Sequence, residues 1–193
     1  MKNTNKVNLK KIITPTKAKR LVEVLEEPMD NITINKYLPN CPVIRYNELK
    51  NKSLDKILPK DGSYCIILYQ QSENSGHYVA LYRQKGVINY FCSYGSYPDS
   101  QLKWVSSQVN KQLGIEPYIT NMLSNTNTPI LYNSHPLQDK KDTRIATCGR
   151  WCICMIQCLK KGMTMKDFVK KYKNSKIPPD IIVAEKINKL NED

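Results

Sequence analysis

The spacing of apolar residues changes along this chain and divides it into helical and stranded stretches. Leu21, Val24 and Leu25 form one stripe in Lys17–Glu27, which follows Thr14-Pro15 and ends at Pro28. Proline in a first turn and this periodicity predict an amphipathic helix. Residues 29–45 follow neither period, are punctuated by Pro39 and Pro42, and read as irregular. Ser53–Leu58 is a short helix candidate before Pro59. Three β-rich runs come next: Tyr64–Tyr69, His77–Tyr82 and Val87–Cys92, the last two joined by a turn at Gln84-Lys85-Gly86. Ser100–Leu113 returns to helical spacing and stops at Gly114. Tyr118–Leu123 and Ile130–Tyr132 read as weaker strands, and Asn133–Ala146 as a polar loop. Thr147–Lys160, Thr164–Tyr172 and Pro179–Leu190 read as helices. Helices, then strands, then helices again, with no internal repeat and no separating linker, predict one α+β domain over residues 1–193.

Composition narrows the class. The 193 residues include seven Cys, an odd number, and no secretory leader pattern, which predicts free thiols in a reducing compartment. No apolar run approaches the roughly 20 residues that span a bilayer, so no membrane role is expected. The net charge of +13 implies attraction to polyanions, nucleic acid first. The same surplus is also what a solvated surface or a Lys- and Asn-biased codon usage produces. Residues 1–13, with Lys2, Lys6, Lys10 and Lys11 and no acids, read as a basic arm.

The candidate chemistry centres on Thr147-Cys148-Gly149-Arg150-Trp151, ahead of the apolar run Cys152–Ile156. A Cys at the start of a buried helix meets unpaired N–H groups and the positive end of the helix dipole, which favour thiolate over thiol. His77 opens a strand and can face a cleft at a sheet edge. Gln138, ten residues before Cys148, can aim its amide N–H2 at a developing oxyanion, with the Cys148 backbone N–H as second donor. Together these are the minimum set for acyl transfer. Each has a plainer reading alone: a structural His, a core Cys, a solvated Gln.

The ordered motifs Gly76–Tyr82, Tyr90–Gly95 with Pro98-Asp99, Leu137-Gln138 and Thr147–Trp151 resemble the adenovirus-type cysteine proteases. Those enzymes share a fold group with the SUMO-specific proteases, and relatives occur in large DNA viruses, virophages and virus-like transposons. The resemblance covers about residues 60–160. It implies an α+β cysteine-protease fold, with a central mostly antiparallel sheet carrying the His and a buried helix carrying the Cys at its N-terminus. It also implies His77 as general base, Cys148 as nucleophile and Gln138 in the oxyanion hole. The implied activity is a thiol endopeptidase that matures capsid and core precursor polypeptides in the virion or the host-cell virus factory. No cofactor is required; DNA is a candidate activator, and the protein is expected to act as a monomer. Rival readings are a deubiquitinase or SUMO-type isopeptidase, and a catalytically impaired protease fold that binds or packages DNA.

One position departs from the family pattern. Cys92 stands where an acid or Asn is usual, and a neutral thiol is a poor acceptor for an imidazole N–H. Register decides what it can do: an even loop in the Gln84-Lys85-Gly86 hairpin puts Cys92 on the face of His77, an odd one puts Ser93 there. Asn89 is too far along the strand to substitute. The remaining candidates divide similarly. The C-x3-C-x-C-x3-C run Cys148, Cys152, Cys154, Cys158 lacks zinc-knuckle spacing and reads as core packing. His135, in a loop before Pro136, is a weaker base candidate; Trp151 reads as a core anchor, and Arg150 as either a substrate contact or a local cap.

Overall fold

The computed structural model describes residues 15–72 and 75–189; the basic arm 1–13, Asn74 and Leu190 lie outside the described residues. Its centre is a five-stranded sheet in the order β1-β2-β3-β4-β5, formed by Val43–Arg45, Tyr64–Ser72, Ser75–Gln84, Val87–Cys92 and Ile130–Tyr132. The two central pairings, β2–β3 and β3–β4, are antiparallel, whereas the edge strands β1 and β5 pair in parallel. The sheet is therefore mixed, with its antiparallel part confined to the long middle strands.

Both faces of this sheet are covered, which explains why Tyr64–Tyr69 reads as a continuous apolar run instead of an alternating one. On one face Ile66, Ala80 and Phe91 pack against α6 (Cys148–Lys160), α7 (Met165–Lys173) and α8 (Pro179–Lys189). On the other, Ile67, Val79, Leu81 and Tyr90 pack under Leu49, Leu58 and Ile119. Trp151 is fully buried, with its ring edge-on to Tyr172 at 5.1 Å, so the anchor reading of this residue is correct.

The β3–β4 hairpin has a two-residue loop, Gln84 pairing with Val87, and both Lys85 and Gly86 take positive φ (51° and 70°). That left-handed pair matches the twist of the flanking strands. The even loop fixes the register Tyr82↔Asn89 and Val79↔Cys92, which places Cys92 on the face of His77.

Three stretches differ from expectation, two because of a cap within the stretch and one because of partners far along the chain. Residues 29–45 are not irregular: they form α2 (Asn31–Tyr37), capped where the Asp30 side chain accepts from Thr33 N at 2.7 Å, and then β1. Ser100–Leu113 is broken into a 3-10 turn, Ser100–Trp104, and α4 (Ser107–Gln112), because Ser106 turns its hydroxyl to the Val109 N–H and restarts the helix. Tyr118–Leu123 is helical, within α5 (Tyr118–Ser124). Its first N–H groups are met by distant partners, Tyr46 Oη on Tyr118 N at 2.8 Å and Asp99 Oδ2 on Thr120 N at 2.7 Å. The helices α1 (Pro15–Glu26) and α3 (Leu54–Ile57) stand where the periodicity puts them.

Candidate active site

Cys148 is the first residue of α6 and opens into a cleft of about 1150 Å³ that His77, Tyr94, Trp104 and Gln138 also line. The helix start is held in an unusual way. Thr147 occupies the N-cap position, yet its hydroxyl does not cap the helix; it donates to Asp180 Oδ1, as does Trp151 Nε1 at 2.9 Å. The N–H groups of Gly149 and Cys148 at this end, together with that of Tyr78 on β3, favour the ionised sulfur. Burial opposes them and is the larger effect, so the Cys148 pKa lies above that of an ordinary thiol. The helix terminus does not by itself make a resting thiolate here, contrary to expectation.

Gly149 is needed behind the sulfur. A Cβ there would sit 3.1 Å from Met29 Cβ and 3.4 Å from the Tyr78 ring. The glycine therefore lets α6 close onto β3 and the segment before α2.

His77 lies two residues beyond the last β3–β4 pair, where β3 still pairs with β2 but β4 has ended and the cleft begins. Its ring stacks on Tyr94 at 4.5 Å and meets the edge of Trp104 at 5.6 Å, which fixes its plane. Nε2 lies 3.3 Å from Cys92 Sγ. With that nitrogen engaged, Nδ1 is the one left for chemistry. Burial, with a smaller contribution from the Lys140 charge, pushes the His77 pKa down to about 3. The resting pair is neutral imidazole and neutral thiol.

Cys92 does stand at the third position, and it is itself supported. Gln101 Nε2 donates to its sulfur at 3.3 Å, and the N–H groups of Tyr94 and Ser96 favour its ionised form, although burial raises its pKa overall. A sulfur that accepts from several donors can also accept the His77 Nε2–H, which holds the ring in the tautomer with Nδ1 free. Asn133 fixes the strand end here, accepting from Cys92 N at 2.9 Å and donating to Cys92 O at 2.6 Å. Neither Ser93 nor Asn89 takes this place: Ser93 Oγ donates to Gln138 Oε1 at 2.7 Å, and Asn89 Nδ2 donates to Tyr82 O.

Gln138 lines the same cleft. Its orientation is set by Ile145 O, which can only accept and takes Nε2–H at 2.9 Å. The same nitrogen reaches Tyr94 Oη at a longer 3.4 Å. One N–H is thus committed to the loop, and the other is held by a weak bond that an oxyanion can replace.

Other sequence candidates fall elsewhere. His135 is absent from the cleft lining; its backbone packs on Gly95, where an added Cβ would meet His135 C at 2.6 Å. Arg150 is a structural contact, donating from Nη1 to Glu27 O at 2.7 Å at the end of α1. Among the described residues no group of three or more His, Cys, Asp or Glu is placed to hold a metal ion. Tyr94, Trp104, Gln101 and Asp180 belong to the site's framework and were not picked out from sequence. Only the aromatic Ser93-Tyr94-Gly95 turn carried a local signal.

Fold and site define an α+β protein in which Cys148, His77 and Gln138 line one cleft. The chain belongs to the same family as the uncharacterized protein V9 of Sputnik virophage, with which it is 31% identical over 167 residues, 81% of this chain and 91% of that one. No family model matches it. Similar solved structures include the ASFV pS273R protease, at 14% identity and a TM-score of 0.48 over 84% of this chain and 67% of that one. ChlaDub1 from Chlamydia trachomatis is also similar, at 14% identity and a TM-score of 0.38 over 90% of this chain and 76% of that one.

Proposed function

We propose that this chain is a cysteine endopeptidase that processes viral structural precursor polypeptides. The observation that carries the reading is the convergence of Cys148, His77 and Gln138 on one cleft, with His77 Nε2 held by Cys92. Because the resting pair is neutral, proton transfer accompanies attack. The Cys148 sulfur adds to the peptide carbonyl carbon as its proton passes to His77 Nδ1. The oxyanion is received by the backbone N–H at the start of α6 and by the loosely held N–H of Gln138. His77 then returns the proton to the leaving amine, and water hydrolyses the thioester. Precursor polypeptides as substrates are suggested by the resemblance of the four motifs and by a relative in a virophage.

The test is labelling of the full chain with a thiol-directed electrophile, read by mass spectrometry, beside digestion of a capsid precursor. Wild type is expected to label first at Cys148, and His77→Ala to slow that labelling by about 10²–10⁴-fold. Cys148→Ala is expected to abolish digestion. Labelling of Cys148 that ignores His77, with no digestion, would sink the protease reading. It would leave the alternative of a protease-like fold serving as a DNA-binding protein.

A further inference from the structure

At the other end of α6 lies a second cluster of reactive groups that the cleft chemistry does not use. Lys186, from α8, turns its ammonium between two sulfurs and a phenol: Nζ is 3.2 Å from Cys154 Sγ, 3.4 Å from Cys158 Sγ and 3.2 Å from Tyr172 Oη. Tyr172 Oη, from α7, is also 3.1 Å from Cys154 Sγ. Three helices therefore meet at a half-buried cation whose ring of acceptors, among the described residues, contains no carboxylate. Cys154 and Cys158 lie four residues apart, on the same face of α6, with the Lys186 ammonium in reach of both sulfurs. A plain core of cysteines would not enclose a lysine ammonium.

We propose that Cys154, Cys158, Tyr172 and Lys186 form a peroxide-reactive thiol site, in which Cys158 is the sulfur that is oxidised. The proton of the sulfur pair rests on Cys154, which donates to Cys158, and the ammonium balances the remaining negative charge. Cys158 is pushed down to about 5 by the Cys154 hydrogen bond and by the Lys186 and Lys171 charges, against burial. Cys154 moves the opposite way. A soft cation is excluded because Lys186 already occupies the cation's place.

The oxidant is a small hydroperoxide, hydrogen peroxide being the simplest, since Cys158 is only slightly exposed. The Cys158 thiolate attacks one peroxide oxygen and an S–O bond forms as the O–O bond breaks. The sulfur loses two electrons, and the departing hydroxide takes a proton from Lys186 and leaves as water. The product is a sulfenic acid. A disulfide to Cys154 is disfavoured: helix neighbours at this spacing have Cβ atoms about 5–6 Å apart, against about 3.5–4.5 Å in a disulfide.

The experiment treats the full chain with a few equivalents of hydrogen peroxide, quenches into denaturant containing dimedone, and locates adducts by peptide mass spectrometry. Cys158 is expected to react at least about tenfold faster than the buried Cys41 and Cys65. Lys186→Met is expected to slow Cys158 by about tenfold and leave Cys148 unchanged. Wild type supplies a readout that needs no variant. The Cys158 rate should stay nearly flat between pH 6 and 8, where an ordinary thiol speeds up about tenfold per pH unit. A tenfold rise per pH unit at Cys158, or oxidation of Cys158 no faster than Cys41, would overturn the proposal. Cys148→Ala leaves the expected result intact, so this site stands or falls apart from the protease reading.

Discussion

His77 is kept neutral by its surroundings, and the consequence is measurable as stability. Its imidazole is buried between Tyr94, Trp104 and Cys92, with no carboxylate bonded to it among the described residues. The folded pKa of about 3 lies below the unfolded value of 6.5. Above pH 6.5 both states are neutral and the folded state keeps its full stability. Below it, the unfolded chain takes up a proton that the folded chain refuses until about pH 3. Stability should fall through that window by up to about 1.4 kcal/mol per pH unit. Thermal melts of wild type and His77→Gln between pH 7 and 4 check this: the variant should lose that share of the slope. In Cys92→Asp, a carboxylate replaces the sulfur now 3.3 Å from Nε2 and stabilises the imidazolium. The His77 contribution to the slope should shrink there too, and peptide digestion should speed up. An unchanged slope in both variants would mean that His77 titrates as an ordinary surface histidine.

At the scale of elements, α6 is positioned by one carboxylate on α8. Asp180 accepts from Thr147 and Trp151 on α6 through Oδ1, and from Asp139 N at 2.8 Å through Oδ2. Asp139 follows Gln138, so this side chain ties the nucleophile's helix to the oxyanion loop. Asp180→Ala would leave the buried Thr147 and Trp151 donors, and the N–H of the exposed Asp139, without their acceptor, a loss of about 3 kcal/mol. For a chain of this length that lowers Tm by roughly 6–12 °C. Below the melt, kcat should fall with KM little changed, because alignment is lost while the cleft walls remain. A normal Tm would show that the three donors find other acceptors. Nothing near Asp180 in the sequence announces this role, because its partners lie 29 to 41 residues away. Legibility follows the same division. Helix α6 and the three central strands were readable because local period and turn chemistry specify them, which puts Cys148 at a helix start and His77 near a strand start. The turn at Gln84-Lys85-Gly86 left two registers open, and only the folded pairing of Gln84 with Val87 puts Cys92 on the face of His77. Residues 118–123 were misread as a strand because Tyr46 and Asp99 cap that helix from afar. The Lys186 cluster was missed because only folding brings α8 beside Cys154 and Cys158.

The whole molecule carries a charge that the cleft does not require. The net +13 includes a run of exposed lysines around α7 (Lys160, Lys161, Lys166, Lys170, Lys173 and Lys176), with Asp167 the one acid in that stretch. Such a surface should hold duplex DNA through phosphates, by release of condensed counterions, without regard to base sequence. Affinity should drop at least about a hundredfold between 50 and 200 mM salt, given several phosphate contacts. Cys148→Ala should bind as wild type does, because the sulfur contributes no charge to that surface. Replacing Lys166, Lys170 and Lys173 by Gln should weaken binding and flatten the salt slope, while leaving hydrolysis of a short uncharged peptide unchanged. Titration of a labelled duplex at four salt concentrations decides the matter. A salt-independent affinity, or no binding at 50 mM, would leave the charge as a device of solubility alone. If the expected slope appears and added DNA also speeds precursor digestion by wild type but not by the triple Gln variant, the lysine surface recruits the enzyme to its substrate. Co-localisation on one polyanion then raises the local precursor concentration without any change in the Cys148–His77 pair.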